Sequence, residues 1–285
     1  MKVAILGLGR MGSAIAERLL DTGHSLVVWN RSAGKAQALL DRGAVWAATP
    51  QEAVSKVDLT LSMLTDAAAI ENTYSGVNGA LTGDVKGKLF VDMSTVRPET
   101  SIHLNSKVVA VGAALLECPV GGTVGPAKQG QLFGFVGGEA ADFLRAKPLL
   151  EQLCRRVEHV GAIGAGASMK LAVNLPLLVY WQALGEAILM AKPAGLSAER
   201  LMDILADTPG APGVIKFRGS AVVASLNGID QGPAHFNIDS IRKDLRAMMA
   251  CAIALDIFPA PPGAASTRGA LGLSIPAKVP GRARC

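Results

Sequence analysis

The sequence has few cysteines, histidines and aromatic residues, and each shortage excludes a class of protein. Four cysteines are scattered through 285 residues without a CxxC pair, so we expect a reduced, cytoplasmic chain with neither a disulfide framework nor a zinc site. The four histidines show no metal-ligand spacing, and we expect no bound metal. Aromatic residues make up 4% of the chain and do not interleave with a basic stripe, so no nucleic-acid surface is expected.

Acidic residues are missing from the C-terminal end, which accounts for most of the net charge of +5. Residues 260–285 contain four basic residues and no acidic one: Arg268, Lys278, Arg282 and Arg284. Residues 259–285 also hold five prolines and four glycines without helical periodicity, a composition typical of irregular chain. We expect an atypical tail there, as a natural truncation or the product of an altered reading frame.

The N-terminal end carries a glycine motif between a predicted strand and a predicted helix. Lys2–Leu6 is a short apolar run that predicts a core strand rather than a signal peptide. The motif that follows it is Gly7-Leu8-Gly9-Arg10-Met11-Gly12. Gly7 permits a tight turn, Gly9 lets the backbone approach a pyrophosphate, and Gly12 allows close packing of helix on strand. The helix N-terminus offers N–H groups to phosphates, so the whole motif predicts a dinucleotide-binding site.

The second predicted strand, Leu26–Trp29, ends at Asn30-Arg31-Ser32. In dinucleotide-binding domains this position usually carries the residue that contacts the adenosine ribose. An acidic residue would accept from the 2′-hydroxyl, but none is present here, whereas Arg31 can pair with a 2′-phosphate. We therefore expect NADP(H) to be preferred, with NAD(H) as the alternative.

Further apolar runs predict a doubly wound, mostly parallel sheet in an α/β fold. Strands are expected at 58–64, 88–93, 114–118 and 131–136, with helical patterns between them that include 35–42. Ligands bind beyond the carboxyl ends of such strands, which puts several segments on one rim: the 7–12 loop, Arg31, Met63-Leu64-Thr65, Ser94-Thr95 and residues 119–127. A Rossmann domain is predicted at 1–162, followed by an all-helical domain at 163–258.

A long apolar segment, 167–192, is predicted to be a helix buried between domains or subunits. We do not interpret it as a membrane span, because Asn174, Gln182 and Glu186 interrupt it. Lys170 and Asn174 lie four residues apart and so share one face. Burial would lower the pKa of Lys170 toward a value suited to proton transfer. A lysine that extends to solvent beside a structural asparagine fits the spacing equally well.

Four segments in this order resemble the β-hydroxyacid dehydrogenase family, which includes 3-hydroxyisobutyrate dehydrogenases and glyoxylate or succinic semialdehyde reductases. They are Gly7–Gly12, Asp92–Pro98, Cys118–Thr123 and Gly164–Asn174, with Phe236 and Lys243-Asp244-Leu245 matching a later motif. The resemblance implies an N-terminal Rossmann domain, an all-helical C-terminal domain, and homodimers or homotetramers built through the helical part. It also implies an oxidoreductase that acts on a small carbonyl or hydroxy acid.

The resemblance assigns roles to individual residues. Lys170 is the general acid that protonates the carbonyl as hydride arrives, and the base in the reverse direction, while Asn174 positions the substrate. Gly121-Gly122-Thr123 contacts the substrate carboxylate through backbone N–H groups and a hydroxyl. Thr95 lies beside the nicotinamide ribose, and Lys243 closes over the cofactor.

Three features depart from the family pattern. Gly121 stands where the family usually has serine, and the resemblance stops near Pro259. Pro176 follows Asn174 in the long helix, where proline is tolerated if it lies in the first turns. Two alternatives remain at this point: an imine reductase, against which Lys170 argues, and a non-enzymatic nucleotide-binding protein, which the tail and Gly121 favour.

Overall fold

The computed structural model describes residues 1–230 and 238–254. The tail at 259–285 and Phe236 lie outside these residues. The described strands are β1 (Lys2–Leu6), β2 (Ser25–Trp29), β3 (Val45–Trp46), β4 (Leu59–Ser62), β5 (Leu89–Asp92), β6 (Ala114–Glu117), β7 (Val120–Gly121), β8 (Leu132–Gly137) and β9 (Cys154–Gly161).

The described helices alternate with the strands and then follow one another without strands between them. They are α1 (Arg10–Asp21), α2 (Gln37–Leu40), α3 (Pro50–Ser55), α4 (Ala67–Ser75), α5 (Pro98–Ala110), α6 (Val124–Lys128), α7 (Ala140–Leu153), α8 (Ala165–Ala191), α9 (Ala198–Ala206), α10 (Val214–Leu226) and α11 (Ile238–Ala254). Two short 3₁₀ helices occupy Ala33–Ala36 and Lys192–Ala194.

The strands form one sheet in the order β3-β2-β1-β4-β5-β6-β8-β7, and β9 pairs with β8. All pairs from β3 to β6 are parallel, as is β8 with β9. β8 is antiparallel to β6 and β7, and the segment that connects β7 to β8 contains the short helix α6. The predicted α/β fold with a doubly wound, mostly parallel sheet followed by helices is confirmed.

Alternate side chains of each strand enter two separate cores, one on each face of the sheet. On one face Ile5 and Val28 pack against the apolar side of α1, including Ile15. On the other face Leu6 and Phe90 lie in the cluster that contains Tyr74 and Leu104 of α4 and α5. This burial on both faces explains why the strands are continuous apolar runs.

Local chemistry sets the start of several elements. Thr49 and Asp66 cap α3 and α4 by accepting hydrogen bonds from the Glu52 and Ala69 N–H groups. The helix predicted at 35–42 is instead a 3₁₀ helix followed by the single turn α2, so the predicted extent is wrong. Only Ala36 is buried in the 3₁₀ helix Ala33–Ala36. The segment therefore offers little apolar surface to hold a longer helix.

The chain divides into two compact units. The first contains residues 1–173 and the described residues from 242 onward, and the second contains residues 174–241. The start of α8 and most of α11 therefore belong with the sheet. The second unit has a small core of its own around Leu184, Met202 and Ile215. The division at residue 162 expected from the sequence stays a prediction.

Among the described residues, α8 is long and apolar enough to cross a membrane by length and composition. Within this single chain the helix is mostly exposed: 17% of its most apolar stretch is buried, and Val179, Leu189 and Met190 are exposed. Its burial between domains or subunits stays a prediction. Pro176 lies in the helix interior rather than in the first turns. Proline removes one backbone hydrogen bond there, and the helix continues past it.

Candidate active site

The glycine motif forms the turn between β1 and α1. Gly7 has φ +100°, and a Cβ on it would lie 2.5 Å from the Met63 carbonyl oxygen, while a Cβ on Gly12 would overlap the carbonyl oxygen of Gly7. Contacts within the protein therefore require glycine at both Gly7 and Gly12. A Cβ on Gly9 would meet no atom within 4 Å. Open space above Gly9, at a helix start without a side-chain cap, fits close approach of a phosphate group.

Asn30 holds the glycine turn from the end of β2. Its Oδ1 accepts a hydrogen bond from the Leu8 N–H at 2.9 Å, and its Nδ2 donates to the Ser32 carbonyl at 3.0 Å. The side-chain amide therefore shapes the turn. Arg31 and Ser32 beside it are exposed, which leaves the guanidinium accessible to a ligand phosphate.

A buried polar cluster lies beneath the loops that follow β4 and β5. Asp92 Oδ1 accepts hydrogen bonds from the hydroxyls of Ser62 at 2.6 Å and Ser94 at 2.7 Å. Ser94 Oγ in turn accepts from the Leu64 N–H at 2.9 Å, and the Tyr74 hydroxyl lies 2.8 Å from Ser62 Oγ. Burial raises the pKa of Asp92. The cluster fixes the loop at Met63-Leu64-Thr65 relative to the loop at Ser94-Thr95.

Replacing Asp92 with alanine should lower the free energy of unfolding by about 1–3 kcal/mol, because two buried hydroxyls would lose their acceptor. Urea unfolding of the purified variant measures this. Asp84→Ala, at an exposed carboxylate, is the matched control. Equal stability of the two variants would contradict a structural role for the cluster.

Lys243 of α11 also bonds to both of these loops. Its Nζ donates to the Thr95 carbonyl at 2.7 Å and to the Thr65 carbonyl at 3.3 Å. It also lies 3.3 Å from Asp244 Oδ1. A cavity of about 320 Å³ opens beside it, lined in part by Asp66, Thr95, Arg97 and Arg246. Thr65, Thr95 and Lys243, which the sequence assigns to the cofactor, are thus brought together.

Lys170 is buried at 7% exposure in the first part of α8. Burial lowers its pKa to about 8, an effect that Asp244 opposes and Lys243 reinforces. Asp244 is itself buried and supplies negative charge close to the ammonium group. Asn174, one helical turn further along α8, is buried as well. An amine with this pKa can give up or take a proton near neutral pH.

Asp244 was missed as a functional residue by sequence reasoning, which quoted it only as part of a motif. An acidic residue directly after a predicted cofactor lysine, in an otherwise helical pattern, is the sequence signal that could have identified it. Its electrostatic effect on Lys170 links the start of α8 to α11, although the two residues are 74 positions apart in the sequence.

The loop predicted to bind substrate follows β6. Gly121 forms part of β7 opposite Phe133. A Cβ on Gly121 would make ordinary contacts, the nearest at 3.7 Å to Phe133 Cβ, so space does not require glycine at this position. Gly122 has φ +128°, and a Cβ there would lie 2.7 Å from Leu132 Cδ2. Thr123 precedes α6, and its side chain makes no capping hydrogen bond to that helix.

A Rossmann-type sheet with an open glycine turn, followed by helices, is the arrangement of an NAD(P)-dependent oxidoreductase. Residues 2–161 match the model of the NAD-binding domain of 6-phosphogluconate dehydrogenase. Residues 164–268 match the NAD-binding model of NADP-dependent 3-hydroxyisobutyrate dehydrogenase. The chain belongs to the β-hydroxyacid dehydrogenase family, as its motifs predicted.

Individual relatives agree with this family. Glyoxylate/succinic semialdehyde reductase 1 of Arabidopsis thaliana is 36% identical over 250 residues, which cover 88% of this chain and 85% of that protein. The structure of Mycobacterium tuberculosis 3-hydroxyisobutyrate dehydrogenase with L-serine is similar with a TM-score of 0.80 at 27% identity, covering 91% of this chain and 89% of that one. Psf3 in complex with NADP+ and 2-OPP has a TM-score of 0.73 at 26% identity, covering 88% and 94%.

Proposed function

We propose that this protein is an NADPH-preferring reductase of a small semialdehyde or 2-oxo acid, or the corresponding dehydrogenase of a hydroxy acid, with Lys170 as the general acid and base. The observation that carries the proposal is the buried Lys170 amine, whose pKa is lowered to about 8. Lysine is almost never buried unless it is paired or used, and the pKa of an ordinary lysine, 10.5, would make it a poor proton donor near neutral pH.

The glycine turn would hold the dinucleotide phosphates against the N–H groups of α1. Thr65, Thr95 and Lys243 would bind the cofactor at the ends of β4 and β5. NADP(H), when bound, supplies or accepts the hydride. In the reducing direction the carbonyl oxygen of the substrate gains negative charge, and Lys170 Nζ donates a proton to it. In the oxidising direction the neutral Lys170 amine removes the hydroxyl proton.

The preference for NADPH rests on Arg31 and Ser32, which are exposed beside the glycine turn. A guanidinium can pair with a 2′-phosphate in two parallel hydrogen bonds. The chain has no carboxylate in Asn30-Arg31-Ser32 to repel that group, and Asn30 is engaged with the turn. Psf3 was solved with NADP+, which is consistent with the same preference here.

In this proposal the substrate would lie against Lys170 and the 121–123 loop, and Asn174 keeps the positioning role that the resemblance implies. The backbone N–H groups of Gly121 and Gly122 and the hydroxyl of Thr123 would bind its carboxylate. The Arabidopsis relative is named for glyoxylate and succinic semialdehyde, which makes small aldehydes bearing a carboxylate the first substrates to test.

We further propose that the chain forms a homodimer or homotetramer through the helical unit. The support is the exposed apolar side chains along α8, among them Leu189 at 69% and Met190 at 82% exposure. Exposed apolar surface of this kind is typical of protein interfaces.

The experiment that tests the function is NADPH oxidation, followed by absorbance, against glyoxylate, succinic semialdehyde, methylmalonate semialdehyde and tartronate semialdehyde, with NADH in parallel. Turnover of one of these with NADPH supports the reductase. Tight NADPH binding without turnover of any carbonyl acid would favour the non-enzymatic alternative. Turnover of cyclic imines in place of these acids would favour the imine reductase.

The pH dependence of the rate follows from the lowered pKa of Lys170. Reduction requires the protonated amine, so kcat for reduction should be constant well below pH 8 and fall above it. Oxidation requires the neutral amine and should show the opposite dependence. Steady-state rates measured from pH 6 to pH 10 in both directions test this, and a flat profile in both would contradict the assignment.

A further inference from the structure

A carboxylate from the sheet caps the helix that carries Lys170. Glu117, the last residue of β6, is 1% exposed. Its Oε1 accepts hydrogen bonds from the N–H of Gly164 at 2.6 Å and of Gly166 at 2.8 Å. These groups lie at the start of α8, where backbone N–H groups have no partner within the helix. The partial positive charge of a helix N-terminus also favours a carboxylate there.

Two glycines, Gly137 and Gly166, lie directly against the Glu117 carboxylate. A Cβ on Gly137 would overlap Glu117 Oε1. A Cβ on Gly166 would overlap the Phe135 carbonyl oxygen and lie 3.2 Å from Glu117 Oε1. The two glycines therefore let α8 begin directly against the sheet and the carboxylate. The Ser101 hydroxyl and the N–H groups oppose the rise in the pKa of Glu117 that burial causes.

The contact lies between two parts of the proposed active site. Toward the C-terminus, Glu117 is followed at once by the loop that contains Gly121-Gly122-Thr123. The helix held by its carboxylate begins at Ala165 and carries Lys170 in its second turn. A shift or rotation at the start of α8 would therefore move the Lys170 ammonium relative to the sheet.

We propose that Glu117 is a positioning residue for the reaction: its carboxylate fixes the first turn of α8 and thereby holds the Lys170 amine in its buried place. This inference rests on the proposed role of Lys170. Glu117 acts through the helix backbone, and no contact with substrate or cofactor is assigned to it. Loosening the helix start would both misplace the amine and let water reach it.

The test compares Glu117→Ala, Glu117→Gln and the control Glu158→Gln, at a half-buried carboxylate on β9 that pairs with Arg156. Glu117→Ala should lower kcat by roughly 10- to 100-fold, because small displacements of a reacting group have effects of this size. The Kd for NADPH, which depends on the glycine turn, should stay within about twofold of the wild-type value. Glu117→Gln keeps an acceptor oxygen for the two N–H groups and should lose less, and Glu158→Gln should behave as wild type.

A readout that does not need turnover separates positioning from general stabilisation. The pH dependence of Lys170 modification by acetic anhydride, measured by mass spectrometry of the peptide, reports the pKa of the amine. In wild type the midpoint should lie at about 8, and in Glu117→Ala it should rise toward the ordinary value of 10.5 as water reaches the amine. If Glu117→Ala fails to fold, Glu117→Gln and Ser101→Ala are compared in the same way and should shift the midpoint in the same direction.

The variants distinguish the positioning role of Glu117 from the proton-transfer role of Lys170. An unchanged midpoint and unchanged kcat in the folded Glu117 variants, with only a lower Tm, would show that Glu117 merely stabilises the fold and would overturn this inference. Full turnover by Lys170→Ala would overturn the proposed role of Lys170, whatever the Glu117 variants do. A raised midpoint together with a lower kcat supports the positioning role.

Discussion

Lys170→Ala is expected to lower kcat by about 10²- to 10⁴-fold, the usual contribution of a general acid. The variant lacks the only group that we propose to protonate the substrate oxygen. NADPH binding should be nearly unchanged, because the glycine turn and the loops at Thr65 and Thr95 are intact. Stopped-flow measurement of NADPH oxidation, with NADPH affinity from fluorescence titration, separates the two effects.

Two further variants control for charge and for general damage. Lys170→Arg keeps the positive charge but cannot give up its proton in this pH range, so it should be nearly as impaired as Lys170→Ala. Lys192→Ala removes an exposed lysine just after α8 and should retain wild-type rates. Normal turnover by Lys170→Arg would mean that the residue stabilises charge and does not transfer a proton.

Arg31→Asp is expected to raise the Kd for NADPH by about 10- to 100-fold. A hydrogen bond to a charged group contributes about 1.5–3 kcal/mol, and each 1.4 kcal/mol is about tenfold in affinity. The new carboxylate would also repel a 2′-phosphate and could accept from the 2′-hydroxyl of NADH. The ratio of kcat/KM for NADPH to that for NADH should therefore fall by at least the same factor.

The exposed Lys216 of α10 provides the matched control for the charge reversal. Lys216→Asp changes the net charge by the same amount and should leave the ratio unchanged. If Arg31→Asp also leaves it unchanged, Arg31 does not contact the 2′-phosphate, and the exposed Lys35 becomes the residue to test.

The Rossmann part of the fold could be predicted because its determinants are local. Gly7 needs a positive φ, and Gly12 lies too close to the Gly7 carbonyl oxygen for any side chain, so the motif specifies the turn by itself. The apolar runs of β1, β4 and β5 are buried on both faces, which makes them easy to recognise. The direction of β8 could not be predicted in this way. It runs antiparallel to β6 and β7, and this pairing depends on residues distant in the sequence.

The site could be predicted in part for the same reason. Lys170 and Asn174 share one face of α8 through spacing alone. The contacts that tune Lys170 come from distant sequence: Asp244 lowers the cost of its charge, and Glu117 bonds to backbone groups 47 and 49 residues away. The Asp92 cluster was missed because Ser62 and Asp92 end different strands and meet only when β4 and β5 pair.

The measurement that tests the central claim most directly is transfer of deuterium from NADPH labelled at the nicotinamide C4 position to a small carbonyl acid. With glyoxylate or succinic semialdehyde, one of the two C4 epimers of the labelled cofactor should give a hydroxy acid carrying deuterium on the former carbonyl carbon, with one NADP+ formed per product, and Lys170→Ala should form this product at least about 100-fold more slowly. Binding of NADPH without any labelled product from the carbonyl acids tested would contradict the account.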